Sequence, residues 1–310
     1  MKIAFRSTFA FLLLVLAGNY CFAVQMGQED FTKAQTKIIP LRGNLTLIRI
    51  ETPEDLNNIV VLSGPEGYLL VDHPELASHP IIQKALGDLG KRPVKFLLNT
   101  HWHYDHVGGN EIYGPDTVIV AQENVRKRLM TKQTPPWSPT PIGPYPERAW
   151  PRITFRDSLA IHFDGEDIEL DHYANGHTDG DSIVYFSCAN VAVVGDIFDS
   201  KGSLAAGLDM EGIARSLAAV EEHINDDTII VSGHSELENR RDLALYVSLL
   251  NATIERVRRE ISAGKAEKEI VDEGLPEIWK PWFAPKNVPS EHDFMQRIYA
   301  TLTHTSNLDQ

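Results

Sequence analysis

The chain contains little cysteine and few basic residues for its length. Only Cys21 and Cys188 occur among 310 residues, which excludes a disulfide scaffold. Acidic groups outnumber basic groups 43 to 29, for a formal net charge of −14. This balance argues against nucleic acid or an anionic membrane as the main partner. With 43% hydrophobic residues, the composition also excludes collagen-like, coiled-coil and broadly disordered proteins.

One apolar run stands out, close to the N-terminus. The basic residues Lys2 and Arg6 precede ten apolar residues at 9–18. Cys21 and Ala23 then provide small residues suited to cleavage after Ala23. Because ten apolar residues cannot span a bilayer, this pattern predicts that the first 23 residues are a secretory signal peptide. An uncleaved anchor and an ordinary buried helix are the alternatives.

The predicted mature chain, residues 24–310, is more acidic than the whole sequence. Cleavage removes two basic and no acidic groups, which leaves 287 of the 310 residues with a net charge of about −16. Cys188 is then alone, so packing or bound metal must stabilise the exported protein. No further apolar stretch is long enough for an integral membrane segment. We expect a periplasmic or secreted protein, and nothing in the sequence indicates its oligomeric state.

Short apolar runs separated by Pro, Gly and Asn predict strands. These runs lie at residues 45–50, 59–62, 68–71, 94–98, 118–120, 182–186, 191–194 and 228–231. Apolar residues at helical spacing predict an amphipathic helix over 213–224 and a long one over 243–261. The mixture indicates an α/β protein with its helices outside the sheets.

Residues 131–151 are compositionally distinct. Seven of these 21 residues are proline, so the segment should form neither a helix nor a central strand. Trp137, Tyr145 and Trp150 lie in the same segment. A surface crossover loop is the plainer interpretation, and an aromatic wall or lid over a binding site is the alternative.

A dense group of metal-ligand residue types follows the predicted strand at 94–98. His101, His103, Asp105 and His106 lie within six residues. Imidazole and carboxylate are ligands of borderline divalent ions. Side chains two apart on an extended segment point the same way, so His101 and His103 can chelate one ion together. Asp105 and His106, where the chain turns, can reach a second ion.

Three further candidate ligands, His177, Asp196 and His234, each lie near one end of a predicted strand and beside a glycine. Strand ends can deliver side chains to one rim of a sheet, and glycine allows close approach of the backbone. Asp72 ends the strand at 68–71 in a similar manner. The other histidines are interpreted as surface or core residues, namely His73, His79, His162, His172, His223, His292 and His304.

The order of these residues resembles the metallo-β-lactamase superfamily. The resemblance covers most of residues 24–310 and implies a single-domain, four-layer αββα sandwich with a C-terminal helical extension. It also implies a dinuclear site at one edge, with two zinc ions expected and iron or manganese as alternatives. The implied ligands are His101, His103 and His177 for one ion, Asp105, His106 and His234 for the other, and Asp196 as the bridge. Asp72 would steady the ligand loop.

The resemblance further implies a hydrolase that acts on a small molecule. Two divalent ions about 3.5–4 Å apart would hold a bridging hydroxide, which attacks an ester, lactone or amide carbonyl. Asp105 would orient this nucleophile and shuttle its proton. Lys201 or Ser203, in a polar loop after the bridging ligand, would bind a substrate carboxylate, although a solvated loop explains them as well.

Known branches of the family differ near the bridging position. Zinc β-lactamases usually carry cysteine or serine where Asp196 stands, and acyl-homoserine lactonases typically carry tyrosine where Asp199 stands. Residues 267–283 lack the basic cluster of glyoxalase II enzymes. The pattern most resembles exported hydrolases of broad or unassigned substrate, in which β-lactamase activity is plausible. The alternatives are a lactonase, an iron-dependent dioxygenase-type member, and a metal-binding protein without turnover.

Overall fold

The computed structural model describes residues 30–53, 55–113, 116–134, 141–174, 176–199, 209–282 and 290–303. The predicted signal peptide lies outside the described residues, as do Trp137, Lys201, Ser203 and His304. The assignments made to them, including export, stay predictions. Within the described ranges, no helix is both long and apolar enough to cross a membrane.

The strands form two sheets. Their bounds are β1 (Gln35–Pro40), β2 (Leu45–Glu51), β3 (Leu56–Gly64), β4 (Gly67–Val71), β5 (Val94–Leu98), β6 (Val118–Gln122), β7 (Ile153–Phe155), β8 (Ser158–Phe163), β9 (Glu166–His172), β10 (Ser182–Phe186), β11 (Val191–Gly195) and β12 (Ile229–Ser232). The first sheet contains β1 to β7 in sequential order, antiparallel up to β4 and parallel from β4 to β7. The second has the order β12-β11-β10-β9-β8, in which β11 and β12 are parallel.

Helices cover the outer faces of the two sheets. Their bounds are α1 (His79–Leu89), α2 (Tyr104–Val107), α3 (Asn110–Tyr113), α4 (Glu123–Met130), α5 (Met210–His223), α6 (Arg240–Ser262), α7 (Glu267–Asp272) and α8 (Glu291–Thr303). The predicted helices at 213–224 and 243–261 correspond to α5 and α6, and an Asn239 capping box begins α6.

Side chains that alternate between the two faces of each strand build the layers of the protein. In β4, Leu69 and Val71 pack between the two sheets, whereas Tyr68 and Leu70 pack on the side covered by α1. The side chains of β10 divide in the same way between the sheet interface and the cluster formed with α5 to α8. Helix, sheet, sheet and helix therefore follow one another. This order confirms the predicted αββα sandwich.

The eight predicted strands are all present, but β1, β7, β8 and β9 were not predicted. Strands β1, β7 and β8 lie at sheet edges, and β9 lies beside β8. Five of the six residues of β1 are exposed, and exposed polar residues interrupt the apolar pattern of β8 and β9. Strands with one solvated face give a weak apolar signal, which explains the omission.

The C-terminal helices share a core with the second sheet. Trp279, in the 3-10 helix Glu277–Trp282, is only 1% exposed and belongs to the same apolar cluster as Ile183 of β10. Its indole Nε1 donates a hydrogen bond to Thr253 Oγ1 of α6 (3.1 Å). The helical extension is therefore packed as part of the sandwich.

Replacing Trp279 with alanine should destabilise the whole protein. Loss of a fully buried aromatic side chain costs about 3–5 kcal/mol of unfolding free energy. Because Trp279 shares its core with β10, we expect one transition shifted as a unit. Urea denaturation followed by far-UV circular dichroism measures this, and Ile278→Ala, at a 56% exposed neighbour, is the matched control. A separate early transition that leaves the sandwich unchanged would contradict the shared core.

Candidate metal centre

The candidate ligands converge at one edge of the sandwich. Parallel strands β4 and β5 end at the same edge of the first sheet, as β11 and β12 do in the second. Two backbone hydrogen bonds join these edges. Ser182 N donates to Thr100 O (2.8 Å), and Asn58 N donates to Gly233 O (2.9 Å). The loops that follow these strands are thereby brought to one place.

A first group contains His101, His103, His177 and Asp196. Each offers one ligand atom, and these atoms all lie within 4.8 Å of one another. His103 Nδ1 is 2.9 Å from His177 Nε2. Asp196 Oδ2 is 3.6 Å from Nε2 of both His101 and His177. The structure thus brings together the residues assigned to one ion and the bridging residue, while ligation itself stays a prediction.

A second group contains Asp105, His106, His234 and the same Asp196, again within 4.8 Å. His234 Nε2 lies 3.2 Å from Asp105 Oδ2 and 3.3 Å from Asp196 Oδ2. His106 Nε2 lies 3.2 Å from Asp196 Oδ1. Asp196 is therefore the residue that the two groups share.

The donor atoms fit divalent cations. Nitrogen pairs lie at 2.9 Å (His103 and His177) and 3.3 Å (His106 and His234), so their lone pairs oppose one another unless a proton or a cation lies between them. His101 Nε2 is buried and has no hydrogen-bond partner among the described residues. Buried polar atoms normally have partners, and a cation between the nitrogens would supply one.

Asp72 orients two of the imidazoles. Its Oδ2 accepts hydrogen bonds from His106 Nδ1 (2.9 Å) and Thr100 Oγ1 (2.7 Å), and its Oδ1 accepts one from Thr100 N (2.8 Å). His101 Nδ1 in turn lies 3.1 Å from Thr100 Oγ1. Protons held on both Nδ1 atoms leave the Nε2 lone pairs for a cation. Asp72 has a φ of 63°, a left-handed conformation that aspartate adopts more readily than most residues other than glycine.

Two glycines leave room for candidate ligands and for the residues that orient them. A Cβ at Gly233 would lie 2.1 Å from Asp196 Oδ1 and 2.9 Å from His106 Cε1. Gly195 has a φ of 55°, and a Cβ there would lie 2.7 Å from Thr100 Oγ1. A larger residue at either position would displace a candidate ligand or the hydroxyl that orients His101.

Burial keeps the imidazoles of the first group neutral. Burial, reinforced by the nearby His106, lowers the pKa of His101 well below its ordinary value. Burial and His177 lower the pKa of His103 to about 3. Neutral imidazole is the form that binds metal, so this group needs no deprotonation near neutral pH.

The second group is a region of negative potential. Burial opposes the ionisation of Asp105, but His106 and His234 outweigh it and hold the pKa of Asp105 at about 2. Burial also opposes the charged form of His234, yet Asp55 and Asp196 raise its pKa well above the ordinary value. Carboxylates that stabilise an imidazolium here would equally stabilise a cation.

Residues of β2 and β3 hold the His234 loop, and sequence reasoning missed them. The Asn58 side chain donates to Ser232 O (2.9 Å) and Ser235 O (2.8 Å). Arg49, which is 2% exposed, donates to Asn58 Oδ1 (3.1 Å) and pairs with Glu236. A charged residue within the apolar run at 45–50 was the signal that could have identified this contact.

Two buried aspartates beside the candidate ligands were likewise not assigned. Asp181 accepts hydrogen bonds from Thr178 N (2.9 Å) and Thr178 Oγ1 (2.5 Å), which closes the turn carrying His177, and burial raises its pKa to about 7. Asp199 Oδ1 accepts a hydrogen bond from His234 N (3.3 Å). Burial and the neighbouring Asp196 raise the pKa of Asp199 to about 8. Both carboxyl groups therefore support loops that carry candidate ligands.

The described part of the proline-rich segment lies beside the loop at 101–106, which carries four of the candidate ligands. Tyr145 and Trp150 pack against the cluster that contains Trp102, the residue between His101 and His103. The Trp102 ring contacts that of His103, with centroids 4.6 Å apart. Trp102 therefore links this part of the segment to a candidate ligand of the first group. Whether residues 135–140 form a wall or lid over a binding site falls outside the described ranges.

The remaining described histidines belong to neither group. His73 is fully buried, and its Nδ1 lies 2.8 Å from Pro74 O. His223 stacks on Tyr185, with centroids 4.0 Å apart. These contacts account for the two residues without a metal.

The residues that carry the candidate ligands match a known protein family. The sequence profile of the Metallo-beta-lactamase superfamily matches residues 52–234, more than half of the chain, and the match includes all seven candidate ligands. The chain belongs to the metallo-β-lactamase superfamily. Together with the His/Asp groups, this membership confirms the predicted class, a metal-dependent hydrolase.

Solved structures share the superfamily fold with this chain at low sequence identity. A metallo-beta-lactamase from Pontibacter korlensis is similar with a TM-score of 0.58 and 17% identity, over 70% of this chain and 99% of that one. The stereoselective inverting sec-alkylsulfatase Pisa1 from Pseudomonas sp. is similar with a TM-score of 0.70 and 14% identity. That match covers 89% of the present chain but only 52% of the sulfatase. At such identities, the likeness shows the fold alone.

Proposed function

We propose that this superfamily member is a dinuclear zinc hydrolase that cleaves an ester, lactone or amide bond in a small molecule. The observation that supports the proposal most strongly is the pair of four-residue groups that share Asp196. Each group provides three donors of its own besides the shared Asp196 carboxylate, and a catalytic zinc ion needs three protein ligands and a position for water.

Zinc is the metal we propose for both groups. Their donors are imidazole nitrogens and carboxylate oxygens, a set that suits this borderline ion, and neither group contains a thiolate. Iron and manganese accept the same donors and are the other outcomes of a metal analysis. When bound, the two ions would polarise a carbonyl group and lower the pKa of water toward neutrality.

Asp105 is the residue we assign to proton transfer. Its carboxylate lies within the second group, 3.2 Å from His234 Nε2, and 15% of its side chain is exposed, so a water bound there is within its reach. It can therefore accept a proton from an attacking water and return it to the leaving group. Asp72 and Thr100 keep His101 and His106 oriented while this occurs.

Metal analysis combined with a substrate panel tests the proposal. Protein purified without chelator should contain about two zinc ions per chain. It should hydrolyse at least one of nitrocefin, a lactone and a thioester, and Asp105→Ala provides the blank. A phosphodiester and a secondary alkyl sulfate, the latter suggested by the sulfatase neighbour, test other bonds. A single iron ion with oxygen consumption would instead indicate a dioxygenase-type member.

A further inference from the structure

The hairpin between β2 and β3 holds the outer side of the His234 ring. His234 Nδ1 lies 2.8 Å from Leu56 O and 3.2 Å from Asp55 Oδ2. A carbonyl can only accept a hydrogen bond, so Nδ1 carries the proton and donates it to Leu56 O, while the Asp55 carboxylate lies beside this N–H as a charge partner. The opposite nitrogen, Nε2, then directs its lone pair toward Asp105 and Asp196.

The Asp55 carboxylate is itself held in place by its own loop. Its Oδ1 accepts a hydrogen bond from Leu56 N (2.8 Å), which leaves Oδ2 for His234. The Asp55 amide donates to Thr52 Oγ1 (2.9 Å), and Thr52 N donates to Asp55 O (2.8 Å). The contact with the imidazole is therefore preorganised.

Truncation of the Asp55 side chain should change the environment of the His234 ring without disturbing the fold. Its side chain is 36% exposed, so truncation leaves no core cavity. The backbone on either side of His234 is held by Asn58, through Ser232 O and Ser235 O. Loss of Asp55 should thus alter the imidazole while leaving its loop in position.

We propose that Asp55 is a positioning residue for the second group, acting through His234 to strengthen binding of the ion shared by Asp105, His106, Asp196 and His234. The Leu56 carbonyl fixes the tautomer, and the negative charge of Asp55 beside Nδ1 makes Nε2 a stronger donor. The Asp55 carboxylate approaches no residue of the first group among its described contacts. This inference rests on the proposed dinuclear site.

Stepwise zinc titration of the metal-free protein in competition with a chromophoric chelator tests the proposal. In Asp55→Ala, the dissociation constant of the second ion should rise about 10–100-fold, and that of the first should not change. Asp55→Asn retains an oxygen acceptor without the charge and should give a smaller rise. Asp226→Ala is the matched control, because it removes an exposed carboxylate paired only with Arg240 in the described contacts (3.0 Å).

Measurement of activity at limiting and at saturating zinc distinguishes a positioning role of Asp55 from a catalytic role. Because Asp55 contacts His234 rather than an ion or the substrate, the loss of activity in Asp55→Ala should be largest at limiting zinc and should shrink as both groups are filled. A loss of kcat that does not depend on zinc concentration would overturn the positioning role, as would unchanged affinities or equal weakening of both ions. Wild-type protein that binds fewer than two ions would instead refute the proposed function.

Discussion

Replacing Asp196 with asparagine is expected to remove both ions and to abolish hydrolysis. Asp196 is the one candidate ligand common to both groups, with Oδ2 near His177 (3.6 Å) and His234 (3.3 Å) and Oδ1 near His106 (3.2 Å). An amide keeps the shape of the side chain but provides one carbonyl oxygen and no charge. Loss of an outer partner alone costs about 10–100-fold in metal affinity or activity, so loss of a shared ligand should exceed 100-fold.

Elemental analysis and steady-state kinetics on Asp196→Asn measure this effect. Circular dichroism should show that the sandwich persists, since its apolar clusters do not include the aspartate. Asp226→Asn, at an exposed surface position, is the control. Two zinc ions bound with wild-type affinity in Asp196→Asn would show that the residue does not bridge the groups.

Asp105→Asn is expected to lower kcat by about 10²–10⁴-fold, the range associated with loss of a general acid–base group. Asp105 belongs to the second group alone, so the first ion should bind as in the wild type. The asparagine side chain keeps an oxygen near His234 Nε2 but cannot accept a proton from water. The loss should therefore appear mainly in kcat, even when zinc is saturating.

Comparison of Asp105→Asn with Asp105→Glu distinguishes proton transfer from ligand loss. Glutamate restores a carboxylate, so partial rescue of kcat would support proton transfer by this side chain. Zinc content is measured in parallel, because a fall in the first ion would mean that the loop at 101–106 is disturbed as a whole. A kcat unchanged in Asp105→Asn would refute the assigned role.

Much of the candidate site could be predicted from local sequence. His101, His103, Asp105 and His106 are close in the chain, and an extended segment followed by a turn can direct them to two neighbouring ions. Glycines beside His177, Asp196 and His234 marked close approach, and Gly233 is indeed too near Asp196 for a side chain. The central strands were predictable because they are buried on both faces and have nearly continuous apolar sequences.

Contacts distant in sequence were not predictable. Asp55 and Leu56 precede His234 by almost 180 residues, and no local pattern links them to it. Arg49 and Asn58 acquire their role only where the edges of the two sheets meet. The exposed strand β1 was missed because its side chains are solvated and carry no apolar periodicity.

The sequence by itself determined the types of the candidate ligands, their order and the layered α/β architecture, because residue chemistry and apolar periodicity are local properties. Tertiary structure decided which nitrogen of His101, His106 and His234 is available to an ion, since Thr100, Asp72 and Leu56 hold the other nitrogen. It also decided that Asp196 belongs to both groups, because the ends of β5, β11 and β12 come within ligand distance only when the two sheets pack face to face.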